Sequence, residues 1–596
     1  MSASRPRGRR RRAGHPAAIR RRPRSDTRRF VTVLGGVLLA LLIVGGRLVQ
    51  LQVVVAPAYA EKARIQRLRD VEIPARRGTI YDREGEPLAV SVDAKTVYGT
   101  PGAVKDKAQT AKTIARVLGL DAADVERRLS RKSNFTYIAR KVPLERARQL
   151  EALELGGIGF LDDSRRTYPS GDVACQVLGF VGVDDKGLAG IEKQYDDTLS
   201  GEAGVLLAER DPYGRPIPGG VARSTEPLNG KDIVLTIDKD IQDRAQDELA
   251  KAVKQYKARG GSVLIMNPRT GEIYAMASMP TFNPNSYAKA SAGAVRNRVV
   301  SDAYEPGSTI KSLTAASVID KGVYKPQSKL KLPPSLTVAG KHVGEAHPRG
   351  TVTWTLTEIV THSSNVGAVK LGQALKAQGL YTYFKRFGLT EKTGIDFPGE
   401  VTGWLPAPKN WSSLSMANIP FGQGVSVTPL QLGRAISAIA NHGLLPAPHF
   451  LLSMPQSTDV KLTWPTERAI SAKSARTTTA ILCDVVTDGT GSAAKVPGYN
   501  VAGKTGTAQK ALEDGRGYAG GKYVSSFIGF LPAEDPQVLI SVIIDEPTGA
   551  IYGGVTSAPV FSSLAQFTVS HLRIPPSPTR QSRDASVTPA ATERKD

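Results

Sequence analysis

The sequence is poor in cysteine and histidine, with two cysteines and seven histidines in 596 residues. Cys175 and Cys483 lie far apart in apolar stretches without the spacing of a metal or redox motif, so we expect two free thiols. His342 and His347 are five residues apart, but no acid or third ligand stands at the spacing of a metal site. The sequence therefore predicts no metal centre.

Long apolar runs are equally scarce, and the clearest one lies close to the N-terminus. Residues 30–46 carry no charge, and after Arg47 the apolar character continues through residues 48–55. The length and the flanking charge predict a transmembrane signal anchor over residues 30–55. The alternative is a cleaved signal peptide, for which residues 58–60 offer a small-residue cleavage site.

Acidic residues are nearly absent from the first 29 residues. This segment has twelve arginines and one acid, Asp26, so +11 of the net charge of +24 belongs to it. An arginine run can bind nucleic acid, but this one stops one residue before the apolar segment. The positive-inside rule then predicts a basic cytoplasmic tail over residues 1–29, no nucleic-acid partner, and an extracytoplasmic location for everything after residue 55.

The rest of the chain divides by composition into three parts. Residues 56–225 contain strand, turn and helix patterns, with glycines and Arg/Asp/Glu pairs typical of turns held by ion pairs, but no nucleophile or phosphate loop. Residues 226–572 carry the chemical candidates, and residues 323–350 within them have a loop-like pattern. Residues 573–596 are rich in Ser, Thr, Pro and Ala and are predicted to be disordered.

The first chemical candidate is the pair Ser308 and Lys311. Residues 306–307 form a turn, and the apolar residues that follow predict a buried helix from Ser308 to Asp320, with Gly322 just past its end. Lys311 would lie one turn after Ser308 on the same face and could take the hydroxyl proton if burial lowers its pKa. The helix N-terminus would offer N–H groups to an oxyanion. The alternative is a helix cap beside a solvated lysine.

The second candidate is Ser363 with Asn365. Two polar side chains two residues apart on a loop can face the same cleft, where Ser363 could pass a proton and Asn365 could hold Lys311 and a substrate amide. Such residues more often form turns and caps. His362 is adjacent, but we expect it to pack beside the loop rather than act as a base.

The third candidate is the segment Lys504, Thr505, Gly506 and Thr507, which follows a predicted strand. Lys504 could supply a positive charge for a substrate carboxylate, flanked by the two threonine hydroxyls. Gly506 would let a substrate backbone pair along the strand edge. The N–H groups of Thr507 and Ser308 could form an oxyanion hole. The alternative is an ordinary edge strand with a surface lysine.

In this order the three elements resemble the signature of the penicillin-binding protein and serine β-lactamase superfamily. The resemblance covers roughly residues 30–572 and is closest to class B penicillin-binding proteins, in particular the septal FtsI-type division transpeptidases. Further segments are similar to pedestal and transpeptidase motifs of that class: 76–89, 166–171, 187–204, 421–424, 428–431, 489–491, 525–530, 545–547, 552–554 and 558–561.

This resemblance implies an α+β protein with a single transmembrane helix, an elongated pedestal domain of the dimerisation type and a transpeptidase domain. The latter would be an α/β/α sandwich whose antiparallel sheet is built from residues 262–278 and 500–545. The implied reaction is D,D-transpeptidation, in which Ser308 attacks the penultimate D-Ala of a peptidoglycan stem ending in D-Ala-D-Ala, with Lys311 as base. No metal or cofactor is implied, and β-lactams would acylate Ser308.

The resemblance also implies partners and leaves rival functions open. About 20 residues separate the apolar segment from residue 77, too few for a glycosyltransferase domain. Glycan polymerisation is therefore expected from a polytopic FtsW-type partner, alongside other division proteins. An elongation-type class B enzyme shares the chemistry, and a D,D-carboxypeptidase or β-lactamase-like hydrolase shares the motifs. A non-catalytic division scaffold is the binding-protein alternative.

Overall fold

A computed structural model describes residues 26–209, 222–457, 462–512 and 517–578. The chain forms two compact units, one from residues up to Ile73 with Val205–Thr225 and the other from Pro74–Gly204 with residues from Glu226 onward. Most of the basic tail, residues 1–25, and residues 579–596 of the predicted disordered tail lie outside the described residues.

The N-terminal part of the described chain, up to residue 225, alternates short strands and helices. Its elements are α1 (Asp26–Val49) with a π-helical turn (Gln50–Val54), α2 (Ala56–Arg67), β1 (Leu68–Ile73), β2 (Ile80–Tyr81), β3 (Pro87–Gly99), α3 (Lys107–Leu118), α4 (Ala122–Leu129), β4 (Thr136–Pro143), α5 (Leu144–Glu151), β5 (Ile158–Thr167), α6 (Cys175–Leu178), β6 (Phe180–Val181), β7 (Gly187–Ala189), α7 (Gly190–Gln194), α8 (Asp196–Leu199), β8 (Gly204–Glu209) and β9 (Ala222–Thr225).

The described part after residue 225 contains the larger number of helices and strands. Its elements are β10 (Ile233–Leu235), α9 (Lys239–Gln255), β11 (Gly260–Met266), β12 (Ile273–Met279), α10 (Ala292–Val295), α11 (Arg298–Ser301), α12 (Lys311–Asp320), β13 (Lys329–Leu332), β14 (Ser335–Val338), β15 (Lys341–Gly344), β16 (Val352–Thr355), α13 (Leu356–Thr361), α14 (Asn365–Arg386), α15 (Ser413–Asn418), α16 (Pro429–Ala440), β17 (Leu444–Leu445), β18 (Leu451–Ser453), β19 (Glu467–Arg468), α17 (Ala472–Thr487), β20 (Ala502–Ala511), β21 (Tyr518–Leu531), β22 (Val538–Asp545), α18 (Gly553–Thr556) and α19 (Ala558–His571). Five 3-10 turns among the described residues complete it: Pro284–Lys289, Gly307–Ile310, Pro408–Asn410, Ile419–Phe421 and Ser492–Ala494.

The first unit contains the apolar helix. Thr27–Val54 is the one helix among the described residues that is long and apolar enough to cross a membrane. At 1.5 Å per residue its 28 residues extend about 42 Å, more than the hydrocarbon core of a bilayer requires. Strands β1, β8 and β9 form a separate three-stranded sheet in this unit.

The N-terminal region of the second unit is built on the long strand β3. This strand pairs with β2, β4 and β5, and the same sheet continues through β10 to β18. Helices α3, α4 and α5 cover it with a small apolar core. Strand β4 lies in the chain between α4 and α5.

A buried ion-pair network fixes the turns beside this sheet. Glu192 is fully buried and accepts from Arg77 Nε at 2.7 Å and from Arg166 Nε at 2.6 Å. Arg77 also pairs with Asp196 at 2.7 Å. The prediction of turns held by ion pairs is confirmed here, and these charges are costly to separate because they are desolvated.

The remainder of the second unit is a three-layer sandwich. Its five-stranded antiparallel sheet has the order β12-β11-β22-β21-β20, which leaves β20 at one edge. Side chains alternate between its faces: Val263 and Phe527 join the core under α9 and α19, whereas Leu264 and Ile528 join the core under α12, α16 and α17. The expected α/β/α fold, with an antiparallel sheet from the two predicted segments, is confirmed.

Two segments differ from their predictions. The loop-like stretch 323–350 contains β13, β14 and β15, which form small antiparallel ladders. The predicted tail is also in contact with the domain at its start, because Tyr499 Oη donates to Ile574 O at 2.6 Å and Ser577 Oγ donates to Glu534 at 2.9 Å. The prediction of disorder from residue 573 onward is therefore wrong for residues 573–577, which side-chain hydrogen bonds hold against the domain.

Candidate active site

Ser308 lies half-buried in a 3-10 turn, Gly307–Ile310, that leads directly into α12. The sequence predicted an α-helix from Ser308, whereas α12 itself begins at Lys311. Gly307 has a φ of +54°, and its N–H donates to Gly422 O at 3.1 Å. This left-handed conformation is one that glycine adopts readily, and it sets the direction of the turn that carries Ser308.

The turn passes close to the edge of β20. A Cβ built on Gly307 would lie 3.0 Å from Thr507 O and 3.2 Å from Ala508 Cβ, so the two backbones are in contact. The unpaired edge of β20 therefore faces the turn of Ser308. This is the arrangement in which the N–H groups of Ser308 and Thr507 can serve one oxyanion.

Lys311 is buried, with 2% of its surface exposed. Its Nζ donates to Ser363 O at 2.6 Å and to Asn365 Oδ1 at 2.7 Å, and lies 3.4 Å from Ser363 Oγ. Burial lowers the pKa of Lys311 to about 7, against a smaller opposing effect of the Glu345 carboxylate. A lysine with this pKa is partly neutral at physiological pH and can accept a proton.

Ser363 stands between α13 and α14 and is held in the left-handed region, with a φ of +56°. Backbone strain of this kind persists only where the surroundings impose it. Its hydroxyl also accepts from Lys504 Nζ at 3.0 Å. The Ser363 Oγ atom thus lies within reach of both lysines and can connect them as a proton relay.

Lys504 lies on β20 with 1% of its surface exposed. Its ammonium also lies 3.3 Å from Thr505 O and from Thr505 Oγ1. Burial, followed by the charge of Lys311, holds the pKa of Lys504 well below its usual value. An anion bound beside Lys504 would raise this pKa again, because it stabilises the charged ammonium. The site therefore favours a bound carboxylate.

The threonines beside Lys504 are tied to neighbouring loops. Thr505 Oγ1 is 2.8 Å from Thr490 Oγ1, and Thr507 Oγ1 accepts from Gly553 N at 3.2 Å. A Cβ on Gly506 would lie 2.9 Å from Thr309 Cγ2, so the strand can pass the Ser308 turn only with glycine here. The structure therefore brings all eight predicted site residues to one place.

Sequence reasoning missed Glu345, which organises the loop of Ser363. Glu345 Oε1 accepts from Ser364 Oγ at 2.6 Å, and Oε2 accepts from Asn365 N at 2.6 Å. Arg349 pairs with the same carboxylate and stacks on Trp354, 4.6 Å from the ring centroid. A pair of opposite charges four residues apart, close before the Ser363 motif, was the only available signal, and it is weak.

Among the described histidines, His362 and His347 line the same cleft but stand outside this hydrogen-bond network. The His362 ring packs against Trp354 at 4.8 Å between centroids, which confirms that it lies beside the loop. The His347 ring packs at a tilt against the Tyr552 ring, with 5.4 Å between centroids. The described residues contain no group of three or more His, Cys, Asp or Glu that could hold a metal ion, and neither Cys175 nor Cys483 forms a disulfide.

The site opens into a cleft of about 840 Å³, lined by Ser308, Ser363, Asn365, Thr505 and Thr507. A nucleophile, a buried amine of low pKa, a hydroxyl relay and a buried cation meet on its floor. Chemically, this arrangement can transfer an acyl group from a substrate that ends in a carboxylate.

Comparison with known proteins places the chain in a family. The penicillin binding protein transpeptidase domain matches residues 261–566, and the penicillin-binding protein dimerisation domain matches residues 72–235. The peptidoglycan D,D-transpeptidase FtsI of Escherichia coli K12 is 35% identical over 557 residues, which cover 92% of this chain and 92% of the relative. The stage V sporulation protein D of Bacillus subtilis is 35% identical over 562 residues, covering 92% and 86%.

Solved structures give the same result. Penicillin binding protein 3 of Mycobacterium tuberculosis, in complex with ampicillin, superposes with a TM-score of 0.68 at 29% identity, covering 86% of this chain and 98% of that chain. A peptidoglycan synthetase of Bifidobacterium adolescentis gives a TM-score of 0.70 at 29% identity, covering 87% and 99%. With a dimerisation domain followed by a transpeptidase domain, and an apolar N-terminal helix that fits a single-pass membrane protein, the chain belongs to the class B penicillin-binding proteins.

Proposed function

We propose that the chain is a peptidoglycan D,D-transpeptidase that works through an acyl-enzyme on Ser308. One observation carries the proposal: the Ser363 hydroxyl lies 3.4 Å from Lys311 Nζ and 3.0 Å from Lys504 Nζ, at the floor of the cleft that contains Ser308. The Ser363 hydroxyl therefore connects the candidate base Lys311 with the carboxylate-binding cation Lys504, beside the nucleophile.

In the first half-reaction, neutral Lys311 takes the proton of Ser308 Oγ while that oxygen attacks the carbonyl of the penultimate D-Ala. The N–H groups of Ser308 and Thr507 hold the oxyanion. As the tetrahedral intermediate collapses, Ser363 passes a proton to the departing amine, and the terminal D-Ala leaves. In the second half-reaction an amine of another stem gives up a proton along the same route and attacks the ester carbonyl. The bond between the acyl carbon and Ser308 Oγ then breaks, the new amide is released, and the proton returns to Ser308 Oγ.

Substrate binding follows from the edge of β20. The terminal carboxylate rests by Lys504, Thr505 and Thr507, and Gly506 lets the peptide backbone approach the strand. A β-lactam presents a carboxylate and a strained amide in the same relation, so it acylates Ser308 in place of the stem.

The test is covalent labelling by a fluorescent penicillin. Ser308→Ala should abolish the labelled band, whereas Ser312→Ala, in α12 just after the Ser308 turn and outside the cleft lining, should keep it. A wild-type protein that stays unlabelled, or a Ser308→Ala variant that labels normally, would contradict the proposal. Rapid loss of the label would favour a β-lactamase-like hydrolase, because a transpeptidase retains the acyl group when no amine is supplied.

The wider assignment rests on the apolar helix and on the family. We place the basic tail in the cytoplasm, the anchor over residues 30–55, a pedestal over 56–225 and a transpeptidase domain over 226–572, outside the membrane. A polytopic FtsW-type polymerase would supply the glycan. Similarity to proteins named FtsI supports a septal role over an elongation role, and imaging a functional fluorescent fusion tests it: signal along the side walls instead of at septa would contradict it.

A further inference from the structure

Thr490 lies in the cleft of Ser308 and has no role in the mechanism above. It follows the end of α17 and lines the cleft together with Thr505 and Thr507. Its hydroxyl oxygen lies 2.8 Å from Thr505 Oγ1, which is its one hydrogen-bond partner among the described residues. Thr490 is therefore connected to the carboxylate site through Thr505.

Close backbone contacts fix the position of Thr490, although its side chain is exposed to the cleft. Its N–H donates to Thr361 O at 3.4 Å. A Cβ built on Gly489 would lie 2.5 Å from Thr361 O, so the loop passes directly against the end of α13. On the other side, a Cβ built on Gly554 would lie 2.7 Å from Thr490 O. The loop has no room to move toward either neighbour, and the Thr490 hydroxyl stays beside Thr505.

The hydrogen-bonding capacity of the Thr505 hydroxyl sets the direction of the bond between the two threonines. A hydroxyl has one proton to donate and two lone pairs that accept. With a carboxylate bound, Lys504 is an ammonium, and its Nζ, 3.3 Å from Thr505 Oγ1, can only donate to that oxygen.

The two possible directions of this bond differ in what Thr505 presents to the substrate. If Thr490 donates, both lone pairs of Thr505 Oγ1 are filled, and the Thr505 proton is left for the carboxylate. If Thr505 donates instead, one of its lone pairs faces the carboxylate, and two acceptors then oppose each other. A bound carboxylate therefore favours donation from Thr490 to Thr505.

We propose, on the basis of the proposed function, that Thr490 is a positioning residue for the substrate carboxylate. Its O–H donates to Thr505 Oγ1, and this bond turns the Thr505 O–H toward the carboxylate beside Lys504. The effect passes through a hydrogen bond to an anion, which is stronger than one to a neutral group. Thr490 therefore favours substrates that end in a carboxylate over neutral analogues, without contacting them.

The first experiment compares benzylpenicillin with its carboxamide, in which the carboxylate is replaced by a neutral group. The second-order rate constant for acylation of the full-length protein in detergent is measured for each compound by competition with fluorescent penicillin. Thr490→Val should lower the rate constant for benzylpenicillin about tenfold and that for the carboxamide less than about twofold. Thr490→Ser keeps the hydroxyl and should keep both rate constants within about twofold of the wild type.

The second experiment is a double-mutant cycle with Thr505→Val. If Thr490 acts through Thr505, Thr490→Val should change the rate constant for benzylpenicillin less than about twofold once the Thr505 hydroxyl has been removed. A loss of about tenfold in that background would show that Thr490 acts independently of Thr505, and would overturn the inference.

The outcomes separate the inference from the proposed function. Unchanged rate constants in Thr490→Val, an equal loss for benzylpenicillin and its carboxamide, or the same loss in Thr490→Ser overturns the inference alone. A wild-type protein that fluorescent penicillin does not label overturns the proposed function and the inference with it. If Thr505→Val is not labelled, the ratio of the two rate constants in Thr490→Val decides, because a misfolded fraction lowers the amount of labelled protein and not this ratio.

Discussion

Replacement of Glu345 by glutamine should move the pH dependence of acylation. Glu345 raises the pKa of Lys311, which burial otherwise lowers, to a net value of about 7. The two groups are separated by one residue, since Glu345 accepts from Asn365 N and Lys311 donates to Asn365 Oδ1. Two charges on the order of 7 Å apart at an effective dielectric of about 20 interact by roughly 2 kcal/mol, or one to two pKa units.

The direction in which the pH dependence moves follows from the protonation state of Lys311 that acylation requires. Acylation needs the neutral amine, so the rate rises with pH through the pKa of Lys311, near 7 in the wild type. Without the Glu345 charge the ammonium is less stable, and the rise should move to between about pH 5 and 6. The plateau should fall by about tenfold, because Asn365 N loses a charge-assisted acceptor.

The assay is the second-order rate constant for acylation by fluorescent penicillin between pH 5 and 9, with each profile scaled to its own plateau. Asp488→Asn is the matched control, since Asp488 lines the same cleft but is exposed to solvent. Its profile should coincide with that of the wild type. A Glu345→Gln profile that still rises near pH 7, or a wild type with no rise near that pH, would refute Lys311 as the base.

Three further predictions concern stability and backbone geometry. The pKa of Lys311 is about 7 in the folded protein, below its ordinary value of 10.5. Between these two pH values the unfolded chain therefore binds more protons than the folded one, so the free energy of unfolding rises with pH. Lys311→Met should lower this slope by up to about 1.4 kcal/mol per pH unit, measured by urea denaturation at pH 7, 8 and 9. Gly553→Ala should weaken penicillin labelling at least tenfold, because the new Cβ would collide with Ser526 O beside β20; unchanged labelling would show that this loop adapts. Glu192→Gln should destabilise the fold by about 3–5 kcal/mol in urea, because two buried arginines lose their shared carboxylate, and a loss below 1 kcal/mol would contradict that account.

The candidate site residues could be found from the sequence because each motif consists of particular residue types at a short, fixed spacing. A serine and a lysine one helical turn apart, and a glycine between two threonines on a strand, are local patterns. The structure places Ser308, Lys311, Ser363 and Lys504 together as these patterns indicated. The α/β/α sandwich with its antiparallel sheet was implied by the resemblance to the family and not by the residue pattern of the strands.

The parts that sequence did not predict depend on contacts between distant segments. Glu345 is one acid in a polar stretch, and its role appears only when α14 brings Asn365 to it. The ladder of β14 and β15 is four residue pairs long, too short for a periodic signal. The left-handed backbone of Ser363 is imposed by its surroundings, since serine has no intrinsic preference for it.

The free edge of β20 has a consequence for how long the folded domain survives. An unpaired strand edge is a place where a sheet begins to open, because its N–H and C=O groups lack a second neighbour. A stem or a β-lactam bound along it would act as a temporary sixth strand. Occupied protein should therefore exchange the amide hydrogens of β20 more slowly and resist proteases longer, so that exposure to drug or substrate changes the lifetime of the enzyme as well as its activity.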